Sequence, residues 1–228
     1  MPHATLGTSP ETDLDTELDR QLRLLLDAGA AADAGLGADE LTAAVDRLRP
    51  ALHALAPPAA ATPSAVPVVL VLSSGDHERD QTAAERQVLD LRLVGRSEPG
   101  VLDRNHGAEG LAPYHPVAEV GPAPARAYAL VGVERGEEFC GVPPQDALPV
   151  VLRRGRTPLT IPEGIALVRA FPAVLEKNRC FMLSGSRRGD RRVPALWVAG
   201  RSPTLGWCWD GNPHSWLGVA STAARLPG

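Results

Sequence analysis

Ten residues divide this chain in two. Ala56-Pro-Pro-Ala-Ala-Ala-Thr-Pro-Ser-Ala65 combines three prolines with small side chains. Proline fixes φ and removes backbone donors, so a stretch this rich in it reads as a stiff linker. The segment before it reads as helical. Ser9 followed by Pro10 and Glu11 is a helix start, with a capping hydroxyl, a proline at the first helical position and an acid at the positive end. Leu14, Leu18, Leu22 and Leu25 then recur at helical spacing to about Asp27. The Ala/Gly-rich stretch 28–37 breaks that helix. A second one begins near Asp39, with Leu41, Val45, Leu48, Leu52 and Leu55 on one face and a kink expected at Pro50. The expected organisation is a helical hairpin over 1–56, a linker over 57–66 and a larger domain over 67–228.

The larger segment is mixed. Val68–Leu72 is rich in β-branched residues and reads as a buried strand. His77–Leu91 is polar and reads as loop passing into a short helix, and Gly95–Ala125 as a long ordered loop. Ala127–Val133 is a second strand, and Pro144–Arg154 a helix closed by Gly155. Thr160-Ile-Pro-Glu163 fits a capping box at the start of a helix ending near Phe171. Cys180–Leu183, Ala195–Ala199 and Leu205–Trp209 are strand-like, with turn-rich pieces between them, which predicts an antiparallel meander. The fold class expected is α+β.

Charge and cysteine usage narrow the function classes. Residues 1–125 carry 9 basic against 19 acidic side chains, and residues 126–228 carry 14 against 8. Either the halves attract one another or the basic half faces an anion. A pI near 5.9, with no helix-turn-helix, zinc-knuckle or RNP-type pattern, argues against nucleic acid. Cys140, Cys180 and Cys208 are odd in number and widely spaced, so no disulfide framework is expected. The N-terminus lacks a secretory pattern, and the longest apolar run, Val66–Leu72, is far too short to span a bilayer. The expectation is a cytoplasmic protein without membrane contact.

Chemistry-bearing residues gather near the C-terminal end. All four tryptophans fall within the last 32 residues. Strand alternation would put Trp207 and Trp209 on one face, and Gly206, Cys208 and Asp210 on the other. Cys208 then reads as a nucleophile beside a Trp-walled pocket, or as a small buried hydrophobe. In Asp210-Gly-Asn-Pro-His214, His214 is a candidate acid or base oriented by Asp210 or Asn212; the alternative is a turn in which Asp210 and Asn212 bond their own backbone. His106, in the long loop, is the other proton-transfer candidate. Ser184–Arg192 holds Arg187, Arg188, Arg191 and Arg192 with two glycines. Planar guanidinium forks suit phosphate, sulfate or carboxylate, although a solvated hairpin tip bridged by Asp190 is the other reading. Cys140, Cys180, Cys208 and His214 add up to three thiols and an imidazole, but without structural-zinc spacing, so no metal and no cofactor are expected.

These residues predict a pocket for an anionic small molecule. The four arginines would hold the anion, and Trp207, Trp209 and Trp216 would wall its apolar part. Any chemistry would be hydrolysis or elimination at a phosphate, sulfate or carboxylate ester. The competing class is a non-catalytic interaction protein, whose residues 9–56 form a homodimer or dock a second protein.

Five segments carry a resemblance: Asp103-Arg-Asn-His-Gly107, Val133–Cys140, Gly155–Thr160, Cys180–Trp197 and Gly206–Gly218. Together they resemble an actinobacterial family catalogued as a domain of unknown function, over roughly residues 96–219. The resemblance implies a bacterial cytoplasmic protein, assigns no residue a role, and leaves the hairpin and linker outside it.

Overall fold

The computed structural model describes residues 13–55 and 61–228. The helix start read at Ser9-Pro10-Glu11, and residues 56–60 of the Pro/Ala stretch, lie outside the described residues. Helix α1 spans Leu14–Asp27, capped by Asp13, whose carboxylate accepts from the Thr16 amide at 3.1 Å. The Ala/Gly stretch breaks it as expected, but holds one further turn, α2 (Ala30–Asp33), between Gly29 and Gly35 at φ +67° and +68°. Helix α3 (Ala38–Ala54) runs through Pro50.

Strand β1 (Ala65–Leu72) begins three residues earlier than its β-branched run suggested. It is apolar throughout because both faces are covered. Val68 and Leu70 join Leu18, Leu25, Leu41 and Leu48 of the hairpin, whereas Val69 and Val71 enter the main core. β1 is also an edge strand, and α1 closes that edge. The Leu70 amide donates to Gln21 Oε1 at 2.8 Å, and Gln21 Nε2 donates to the Val68 carbonyl at 3.0 Å. One side-chain amide thus satisfies groups a neighbouring strand would have taken. The leucine face of the hairpin packs on Val68, Leu70, Ala127 and Ala129 of the first sheet.

After β1 come α4 (His77–Leu89), β2 (Val101–Leu102), β3 (His115–Pro116) and β4 (Ala127–Glu134). Helix α5 (Pro144–Arg153), β5 (Thr157–Pro158) and α6 (Ile161–Ala170) follow. The remainder is β6 (Cys180–Met182), β7 (Ser186–Arg187), β8 (Arg192–Ala199), β9 (Ser202–Trp209), β10 (Leu217–Val219), β11 (Ser221–Thr222) and β12 (Ala224–Pro227). β1 and β4 pair antiparallel from Ala65↔Glu134 to Leu72↔Ala127, and β11, β12 and β5 complete this first sheet. β11 and β12 both line β4, and the chain shifts between them opposite Gly132 at φ +59°, a conformation that favours glycine. The second sheet has the order β10-β6-β8-β9-β2, with the predicted meander at its centre. β3 and β7 form a short antiparallel ribbon. The main core lies among the first sheet, α4, α6 and the second sheet, with Ile161, Ile165, Phe181, Leu196 and Leu205 fully buried. The architecture is α+β, with two helices laid over one face of the first sheet. Among the described residues no helix is long and apolar enough to cross a membrane.

Candidate functional site

The tryptophans divide between the two faces of the β8–β9 hairpin. Arg192 pairs with Trp209 and Pro194 with Trp207, which places Arg192, Trp207 and Trp209 on one face. The two indoles meet edge to face at 4.8 Å, and the Arg192 guanidinium sits 4.7 Å from the Trp207 centroid. Trp197 belongs to the opposite face, its ring laid across Gly206, where a Cβ would fall inside the indole. Trp216 meets Trp197 at 6.4 Å and His214 at 5.6 Å. Trp216, in the turn before β10, thus packs on the Trp197 side, whereas β8–β9 alternation puts Trp207 and Trp209 on the other face.

Three of the four loop arginines face protein carboxylates. Arg187 bonds Asp210 at 2.9 Å, Arg188 pairs with Glu109 at 2.6 Å and Asp190 at 3.3 Å, and Arg192 Nε lies 3.4 Å from Asp190. Arg191 is exposed and donates to Gln145 at 3.2 Å. Behind this network Arg188 lies 6.0 Å from the Tyr114 ring centroid. The Tyr114 hydroxyl and Ser184 Oγ are buried without hydrogen-bond partners, and burial pushes the Tyr114 phenol up to about 12.

The expected proton-transfer residues are not assembled. Cys208 is buried, and burial pushes its thiol up to about 12, so it is a neutral core side chain at physiological pH. No hydrogen bond joins it to His214. His214 is half-buried, burial lowers its pKa, and its Nε2 has no partner. Asp210 faces Arg187, and Asn212 closes its turn through its own amide onto the Trp209 carbonyl at 3.0 Å. His106 is buried edge-on to Tyr114, with Nε2 3.3 Å from the Leu205 carbonyl. Burial lowers its pKa to about 4. Among the described residues no group of three or more His, Cys, Asp or Glu side chains is arranged to hold a metal.

A cavity of about 490 Å³ opens elsewhere, where β1 ends and the first turns of α4 and α6 meet loop 115–123. That volume is in the range of small-molecule sites. Its floor is a buried clamp. Glu163 Oε1 accepts from Arg225 Nε at 2.7 Å and the Tyr128 hydroxyl at 3.2 Å; Oε2 accepts from Arg225 Nη2 and the Thr160 amide, both at 2.8 Å. The Thr160 bond is half of the predicted capping box. Asp80 accepts from the Ser73 hydroxyl at 2.5 Å, the Ser74 amide at 2.6 Å and the Ser74 hydroxyl at 2.7 Å. Gln81 Nε2 donates to the Tyr114 carbonyl at 2.9 Å, which fixes the amide's orientation and leaves its buried Oε1 without a donor.

At the mouth His77 and His115 stack with centroids 4.0 Å apart and ring planes 22° from parallel. His77 Nε2 lies 3.2 Å from the Ala112 carbonyl. A carbonyl only accepts, so in the neutral ring Nε2 carries the proton and Nδ1 is the acceptor. Leu72, Pro116, Val117, Val120 and Pro122 supply the apolar lining. Ser186 is the arginine segment's contribution; its Oγ accepts from the Ile161 amide at 3.0 Å.

Sequence reasoning missed His77, Asp80, Gln81 and His115. One signal was available. A β-branched strand running into Ser73-Ser74-Gly75-Asp76 and then a helix start gathers hydroxyl, carboxylate and turn residues at one strand end. The partners of that turn, His115, Glu163 and Arg225, are distant in sequence and carry no local mark.

A family model described as a family of unknown function matches residues 24–228. The match reaches well beyond the resemblance over 96–219 and takes in α3, the Pro/Ala stretch and β1. No curated protein and no solved structure matches the chain.

Proposed function

Because the chain belongs to DUF5701, whose description assigns no chemistry, we propose its function from the site itself: it binds a small molecule in the cavity between β1, α4, α6 and loop 115–123. The observation that supports this reading is a 490 Å³ cavity lined by Gln81, whose buried Oε1 has no partner. A buried polar atom without a partner costs roughly 1–3 kcal/mol, which a ligand donor would recover. Apolar residues on one side and convergent polar groups on the other are the usual make-up of such sites. The test is ligand-observed NMR with a fragment library. Hits should vanish in Ala118→Trp, which fills the cavity, and persist in an Arg188→Ala/Arg192→Ala double variant. The opposite pattern contradicts the proposal.

A second reading keeps the anion at the arginine segment. It is favoured by two buried hydroxyls without partners, those of Tyr114 and Ser184. Against it, Asp190, Asp210 and Glu109 already occupy the guanidiniums. An anion would have to displace a tethered carboxylate. Neither reading assigns a catalytic step.

A further inference from the structure

We infer that the cavity takes an amine with an apolar body, its ammonium held by Gln81 Oε1 and the Asp80 carboxylate. The inference rests on the cavity reading proposed above. It comes from counting which polar groups on the wall are free and of which kind. The lining carries one arginine, Arg225, and its fork is taken by Glu163, with Nη2 also donating to the Pro158 carbonyl at 3.0 Å. Glu163 is equally spent on Arg225, Tyr128 and the Thr160 amide. The Tyr128 hydroxyl donates to Glu163, and the Ser73 hydroxyl donates to Asp80. The donors left are neutral, the Thr160 and Ser186 hydroxyls and the His115 ring, and no uncommitted guanidinium of the lining remains to greet an anion.

Acceptors remain. Gln81 Oε1 is buried and unpaired, and the residue is 4% exposed. Asp80 is the one carboxylate of the lining without a cationic partner; its bonds are to neutral hydroxyls and an amide. His77 Nδ1 is an acceptor by the tautomer argument. The positive ends of α4 and α6 also face this space, but each is offset by acids in or before its first turn, Asp76 and Asp80 on one and Glu163 on the other. An ammonium brings three donors, no acceptor and one positive charge, which complements one uncompensated carboxylate and two neutral acceptors. The apolar residues of loop 116–122 would cover its hydrocarbon part.

Three probes with the same phenethyl body separate the possibilities: 2-phenylethylamine, 2-phenylethanol and 3-phenylpropionate. Thermal shift and calorimetry on the full chain should rank the amine first, the alcohol second and the acid last, since a native-state ligand raises apparent stability. Asp80→Asn and Gln81→Met should each weaken amine binding by about tenfold or more and leave alcohol binding within about threefold. If Gln81→Met does not fold, the wild-type ranking with Asp80→Asn decides. An alcohol that binds as well as the amine overturns the inference and leaves the cavity reading standing. An acid that binds best overturns it in favour of an anion. Silence from all three probes also overturns it, whereas the cavity reading falls only if the Ala118→Trp fragment comparison fails.

Discussion

The β8–β9 hairpin and the cavity beside α4 use their polar side chains in opposite ways. Beside the open end of the hairpin, Arg187, Arg188 and Arg192 find Asp210, Glu109 and Asp190, and the Arg192 guanidinium also covers Trp207. Beside α4, Glu163 and Arg225 form one closed clamp, but in the cavity lining Gln81 keeps a buried Oε1 without a partner and Asp80 meets only neutral donors. The conspicuous residues are largely committed to one another, and the inconspicuous ones remain available. Chemical density in a sequence marks where interactions are made; a ligand needs places where they are left unmade.

The largest test of this contrast is at the clamp. Glu163→Ala should cost about 3–5 kcal/mol in urea unfolding, because it strands the buried Arg225 guanidinium and the Tyr128 hydroxyl. A cost under about 1 kcal/mol would mean the floor is not a closed unit.

Next is His106, buried between the two regions. Its folded pKa, about 4, lies below the ordinary value of 6.5, so the unfolded chain takes up a proton that the folded ring resists. Stability is therefore intact above pH 6.5 and falls as pH drops toward 4. Wild type should lose up to about 3 kcal/mol more than His106→Gln across that window. Parallel pH profiles would contradict a buried neutral imidazole.

Gly206→Ala should cost about 1–3 kcal/mol by forcing Trp197 off the strand, with a matching change in tryptophan fluorescence. Asp190→Asn should be the mildest, under about 1 kcal/mol, because the carboxylate is 41% exposed. A larger loss there would show the arginine network to be more tightly coupled than its geometry implies.

Periodic and capped elements were legible in the sequence. The leucine spacing of α1 and α3, the apolar run of β1, the Thr160–Glu163 capping box and the β6-β8-β9 meander each follow from local residue order. The role of Gln21 was not, because a lone glutamine on a helix gives no sign that β1 lies edge-on beside it. β10, β11 and β12 were missed because they are short and depend on partners in β6, β4 and β5. The candidate site was poorly legible for the same reason. His77 meets His115, and Glu163 meets Arg225, only after two sheets and two helices have packed. Trp216 was grouped with Trp207 and Trp209 by nearness in sequence, whereas the turn after β9 carries it back onto Trp197, on the hairpin's other face.

The most direct test is a crystal structure with the tightest fragment bound at saturating concentration. Ligand density is expected against Gln81 and Asp80, under loop 117–123, with the arginine pairs unchanged. Density instead among Arg188, Arg192 and Tyr114, with Asp190 displaced, would contradict the account.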